Sequence, residues 1–164
     1  MNTRFLILLL GAVLIGLPAL AHAQRAVLLL RHADRLDESE DSPLSKSGEA
    51  RAQALASLLK DAGITAIYTS EFQRTVKTAE PLARALNIKP ASMPVLDRDG
   101  LFKRVQAENR ADVVLIVGHD RSIPALLKLF GHPQEIKLGR DEYDNLFVLV
   151  PKDSGPPTVL RLRY

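Results

Sequence analysis

Three short stretches of the chain place cationic and nucleophilic side chains directly after an apolar run. Arg31-His32 follows residues 26–30, Ser70-Glu71-Phe72-Gln73-Arg74 closes the run ITAIYTS, and Gly118-His119-Asp120 closes DVVLIV. The chemistry these types share is phosphate capture. A guanidinium makes planar, paired hydrogen bonds to phosphate oxygens and stays charged at any relevant pH. A transferring phosphoryl group spreads negative charge over its equatorial oxygens, so positive donors around it lower the barrier. A neutral imidazole can attack phosphorus and form a phosphohistidine, which splits one hard step into two. A second histidine, when protonated, adds positive charge at the same oxygens. The scheme calls for no metal and no cofactor. A lone arginine or histidine at a strand end is ordinarily a surface group. The set Arg31, His32, Arg74 and His119 makes a site because it recurs at successive strand ends.

The elements that must position this set follow from the apolar pattern. Five unbroken apolar residues, 26–30, read as a strand buried on both faces, as in a parallel sheet covered by helices. A polar, acid-rich segment with Pro43 then forms a loop. Ser45 caps a helix over about 46–62 with Leu55, Leu58, Leu59 and Ala62 on its inner face, closed by Gly63. A strand over 64–70 leads to a helix over about 71–86. The stripe of that helix is Val76, Ala79, Leu82, Ala83 and Leu86, and Pro81 is a place for it to kink or restart. The segment 88–100 reads as a loop or weak edge strand. A third helix spans 101–108 with Leu101, Val105 and Phe102 inward. After the strand in 112–120, a helix begins near Pro124 and closes at Gly131. NLFVLV and TVLRLRY flank a turn and read as a hairpin or adjacent strands, the second an edge. Strand alternating with helix implies an α/β fold: a three-layer, mostly parallel sheet flanked by helices, with right-handed crossovers. In such sheets ligands bind just beyond the carboxyl ends of the strands, so the three stretches converge on one rim.

Composition narrows the function classes. Residues 1–23 have the three parts of a secretory signal peptide: Arg4 near the start, an apolar core over 5–20, and Ala21-His22-Ala23 before Gln24. Its removal leaves residues 24–164 as one domain of 141 residues, with no stable membrane anchor, and a periplasmic location is the economical reading. The leader takes one basic residue with it, leaving 21 basic against 19 acidic residues and a net charge of +2. That balance, scattered along the chain, does not suit a nucleic-acid partner. The absence of cysteine excludes disulfides and thiolate metal sites. His32 and His119 have no neighbouring Glu or Cys ligands in sequence, so a metal site is not expected.

VLLLRHAD with PLSKSGEARA, then YTSEFQRTVKTAEPLA, then VLIVGHD resembles the histidine phosphatase superfamily, whose fold is shared with cofactor-dependent phosphoglycerate mutases. The match covers roughly residues 26–130 through Arg31-His32-Ala33, Leu44-Ser45 with Gly48, Ser70 with Arg74, Thr78 and Ala79, and Gly118-His119. The resemblance implies a phosphoglycerate-mutase-like fold. It makes His32 the nucleophile and Arg31, Arg74 and His119 the holders of the phosphoryl group, with hydrolysis of phosphate monoesters or, in mutases, phosphoryl transfer. The proton donor stays open. The mutase-like glutamate motif is missing from VLDRDGLFK, which offers Asp97 and Asp99. Asp120 fits the branch in which an aspartate follows the second histidine, and Asp34 is a further candidate. Only 45 positions separate Arg74 from His119, which resembles the compact phosphohistidine phosphatases with an open site and argues against a mutase. The expectation is an exported, metal-independent phosphatase acting on a phosphorylated small molecule or phosphoprotein. The alternative is a non-catalytic phosphate-binding or sensing domain of the cell envelope. Oligomeric state is not legible.

Overall fold

The computed structural model describes residues 26–109 and 112–164; the expected signal peptide lies outside them. In chain order the elements are β1 (Ala26–Arg31), α1 (Lys46–Leu59), β2 (Ile64–Ser70), α2 (Gln73–Leu86), β3 (Ala91–Met93), α3 (Arg98–Glu108), β4 (Val113–Gly118), α4 (Ser122–Leu129), β5 (Asn145–Val150) and β6 (Thr158–Arg163). They build one six-stranded sheet in the order β3-β2-β4-β1-β5-β6. The first four strands are mutually parallel, and β5 and β6 run antiparallel as a terminal hairpin. Among the described residues no helix is long and apolar enough to cross a membrane.

Helices cover both faces, which is why β1 needs no polar alternation. Leu28 and Leu30 enter a core with Leu55 of α1 and Leu82 of α2. Val27 and Leu29 enter the opposite core with Val105 of α3 and Leu126 of α4. Each such buried leucine stabilises the fold by about 1.5–3 kcal/mol. Four buried residues in a row therefore hold the end of β1 stiffly, where Arg31 and His32 emerge.

The structure corrects three inward assignments. Leu58 is 54% exposed, Val76 is 38% exposed and Ala62 is exposed beyond the end of α1, while Ala52, Thr75 and Thr78 are buried instead. On α2 the buried stripe is widened toward Thr75 and Thr78, which turn inward to make hydrogen bonds rather than to pack the core. Several bounds shift too. α1 stops at Leu59, and α2 starts at Gln73 and continues through Pro81 without a break. α3 starts earlier than expected, at Arg98, because Asp97 caps it by accepting from Gly100 N. The weak edge strand expected in 88–100 is β3, paired with β2.

Candidate active site

Register brings the expected residues together. Arg31 pairs with Gly118 across β1 and β4, and His32 N donates to Gly118 O at 2.9 Å, one step beyond the ladder. The residues that follow, His32 and His119, therefore meet with ring centroids 5.2 Å apart. β2 lies on the other side of β4, so Ser70 and the start of α2 flank His119 from there. Gly118 is required by close approach: a Cβ there would stand 2.6 Å from Ser122 Oγ, the atom that accepts from His119 N.

Arg31, His32, Arg74 and His119 are all buried. Each guanidinium is tethered by backbone and faced by an aromatic ring. Arg31 Nη1 donates to Gly139 O and Arg140 O, at 3.1 and 2.6 Å, and its guanidinium lies 4.0 Å from the Tyr143 ring centre. Arg74 Nη1 donates to Glu40 O at 2.7 Å, and its guanidinium lies 4.4 Å from the Phe72 ring centre. The rings also contact the histidines, Tyr143 against His32 and Phe72 against His119. A cation over an aromatic face is held in plane without consuming its N–H donors. Arg31 Nε and Arg74 Nε are buried and have no hydrogen-bond partner among the described residues. An unpaired buried donor costs roughly 1–3 kcal/mol, more when charged. Both arginine charges bear on His32, so the two unpartnered donors beside it suit an oxyanion.

The imidazoles have assigned tautomers. His32 Nδ1 lies 2.8 Å from Ala33 O, which can only accept, so Nδ1 carries the proton and Nε2 the lone pair. Burial, followed by the charges of His119, Arg31 and Arg74, lowers the pKa of His32 to about 3. His119 is lowered to about 4, again chiefly by burial and then by Arg74, with Asp120 opposing. His119 Nδ1 faces Arg74 Nη2 at 3.4 Å, and arginine only donates, so His119 Nε2 donates to Ser70 Oγ at 2.9 Å. Ser70 Oγ lies 2.9 Å from Thr75 Oγ1, whose own proton goes to the carbonyls of Phe72 and Ser70. The run of donors is thus one-directional and orients the ring.

The four carboxylate candidates occupy different settings. Asp34 Oδ2 is ion-paired to Arg51 Nε at 2.7 Å, tying the segment after His32 to α1. Asp97 lines a cavity of about 20 Å³ together with His119 and Ser70, but its Oδ1 is taken by Gly100 N as the α3 cap. Asp99 is exposed in the first turn of α3. Asp120 is half-buried, its Oδ1 accepts from Arg121 N, and its charge reaches both His119 and Arg74.

Sequence reasoning missed Tyr143 and the backbone of residues 139–140, which lie in a turn-rich loop with no motif. Phe72 and Ser70 sat inside a recognised stretch without an assigned role. Thr78 is likewise a structural tie, its Oγ1 accepting from Ala33 N at 2.8 Å and donating to Arg74 O at 2.7 Å.

Residues 22–101 match the model of the histidine phosphatase superfamily (branch 1). Over 66 residues the chain is 41% identical to "Probable phosphoglycerate mutase GpmB" of Proteus mirabilis and 39% identical to the same-named protein of Escherichia coli. These matches take in 36% of this chain and 31% of each relative, so the matched stretch spans under a third of the curated relatives' length. Among solved structures, the protein histidine phosphatase SixA complexed with tungstate superposes with a TM-score of 0.69 at 24% identity, over 84% of this chain and 96% of that one. A mycobacterial glucosyl-3-phosphoglycerate phosphatase superposes at 0.64 and 16% identity, over 76% and 89%. At these identities the likeness establishes the fold, a phosphoglycerate-mutase-like mixed sheet between two helical layers.

Proposed function

Because the chain belongs to the histidine phosphatase superfamily, which supports phosphatase or mutase-like activity, we propose that it is a phosphatase acting through a covalent phosphohistidine on His32. Its substrates are phosphate monoesters or a protein phosphohistidine. The observation that carries the reading is the pair of buried, unpartnered Nε–H donors of Arg31 and Arg74 beside a neutral imidazole with its lone pair on Nε2.

In the first step the phosphoryl oxygens take the places open on Arg31 and Arg74. The arriving dianion brings opposite charge to His119 and shifts it toward its protonated form. His32 Nε2 gives its lone pair to phosphorus, the phosphorus–oxygen bond to the leaving group breaks, and Asp120 supplies the proton that the leaving oxygen takes up. In the second step water attacks phosphorus, the phosphorus–nitrogen bond breaks, and the proton lost by water returns to Asp120. Asp120 is preferred as donor because its charge reaches His119 and Arg74, whereas Asp34 and Asp97 are committed to Arg51 and to the α3 cap. Hydrolysis is preferred to a mutase reaction because the short chain between Arg74 and His119 leaves little to enclose an intermediate substrate.

The test is phosphate release from an aryl and an alkyl phosphate by the protein lacking residues 1–23. Wild type is expected to turn over both, and His32→Ala neither. Asp120→Asn is expected to lose more on the alkyl ester, whose leaving group needs the proton, by about 10²–10⁴-fold. Equal activity of wild type and His32→Ala would remove His32 as nucleophile. Tight vanadate binding without any turnover would replace the phosphatase with the phosphate-binding reading.

The proposal includes export, carried by the three-part pattern of residues 1–23. A protein recovered from its host still starting at Met1 would overturn it.

A further inference from the structure

Two loops hold the arginines of the site, and they are joined by one carboxylate. The loop after β1 supplies Glu40 O to Arg74, and the loop before β5 supplies Gly139 O and Arg140 O to Arg31. Glu38, on the first loop, pairs through Oε2 with Arg35 Nη2 of its own loop. Through Oε1 it pairs with Arg140 Nη2 of the second loop, at 2.9 Å. Arg35 is three residues beyond His32, and its charge is the main influence after burial that lowers the pKa of Arg74. Neither pair belongs to the phosphoryl site, whose donors are Arg31 and Arg74.

Glu38 is weakly held. Its side chain is 66% exposed and that of Arg140 is 73% exposed, a setting in which an ion pair contributes about 0–1 kcal/mol. Arg35, at 22%, is the fixed member. Among the other acids of this loop, Asp34 is paired with Arg51, Asp37 Oδ1 accepts from Ser39 N and Ser39 Oγ, and Asp41 is engaged by Gln73. A second anion delivered with the phosphoryl group would thus exchange one exposed carboxylate for another at little cost. It would meet two guanidiniums already brought together.

We propose that Arg35 and Arg140 form a second anion subsite beside the phosphoryl site, occupied in the free protein by Glu38 and taken in the complex by a carboxylate or second phosphate on the substrate. The preferred substrate class is therefore a phosphomonoester bearing a further anionic group on a flexible or protein-borne arm. The inference rests on the phosphoryl site lying between Arg31 and Arg74.

Binding of two unreactive phosphonates, measured by calorimetry at low salt, tests it without requiring turnover. Hexylphosphonate carries the phosphoryl-like head alone, and 6-phosphonohexanoate adds a carboxylate on the same flexible chain. Glu38→Gln is expected to favour the carboxylate by about three- to fivefold, the worth of one exposed charge pair, and wild type by less, because Glu38 must be displaced. The preference should fade toward one at high salt. Arg140→Ala and Arg35→Gln should each bring the ratio to about one, and Glu38→Gln should raise it above wild type by removing the competitor. A ratio of one in wild type and Glu38→Gln, with both phosphonates binding, overturns the subsite and leaves the phosphoryl site standing. A wild-type preference unchanged in both arginine variants overturns it as well. Failure of both phosphonates to bind overturns the phosphoryl site and the subsite together.

Discussion

His32 and His119 are neutral at pH values where an isolated histidine carries charge, and this has a cost that appears on acidification. Their pKa values in the folded protein, about 3 and about 4, lie below the ordinary 6.5. Between those values the unfolded chain binds protons that the folded chain refuses, so unfolding gains favour as pH falls. The stability these groups allow is complete above pH 6.5 and is lost progressively as pH drops toward 4 and then 3. Each contributes a slope of at most about 1.4 kcal/mol per pH unit. Denaturant unfolding in phosphate-free buffer is expected to show stability falling between pH 6.5 and 4, with a shallower fall in His32→Gln and in His119→Gln. An unchanged slope in both variants would contradict the burial of these rings. The four principal residues were readable from type and spacing alone. Tyr143 was not: a single tyrosine in a polar loop bears no mark of the arginine it covers.

α2 links the two halves of the site. Its first turn carries Arg74, and its second places Thr78 Oγ1 between Ala33 N and Arg74 O. The residue after the nucleophile is thereby bonded to the helix that holds the opposite arginine. Asp41 completes the arrangement by accepting from Gln73 N at 2.7 Å, which caps α2 where Phe72 offers no side-chain cap. α1 docks from the other side: a Cβ on Gly48 would stand 2.1 Å from Asp34 O, so only glycine lets the helix approach. Thr78→Val keeps the shape and leaves the buried Ala33 N–H unpaired. It is expected to destabilise by about 1–3 kcal/mol and to lower kcat/KM more than a surface change of similar stability cost. Denaturation together with steady-state kinetics checks both, and wild-type values in each would remove Thr78 from this role. At this scale the helix spans were legible to within a few residues. The faces were less so, since Val76 fits a hydrophobic stripe yet is partly exposed and Thr78 does not fit it yet is buried. Hydrogen-bond duty, rather than apolar character, decided which edge of α2 turned inward.

For the whole molecule, cleavage before Gln24 would leave β1 intact, since its first residue is Ala26. The proposed export therefore predicts an intact mass for the mature protein that starts at Gln24. Residue order alone carries the residue types that can hold and attack a phosphoryl group, the apolar strands that deliver them, and the alternation with helices that makes most of the sheet parallel. Those properties are local: each follows from side-chain chemistry or from a period of a few residues. Three-dimensional packing put β4, the fourth strand in the chain, between β1 and β2. That insertion sets His119 beside His32 and brings Arg74 in from the next strand. It also decided that a loop more than a hundred residues beyond Arg31 returns to grip it through Gly139, Arg140 and Tyr143. Such contacts depend on which strands become neighbours, and neighbourhood is settled by packing the whole sheet at once.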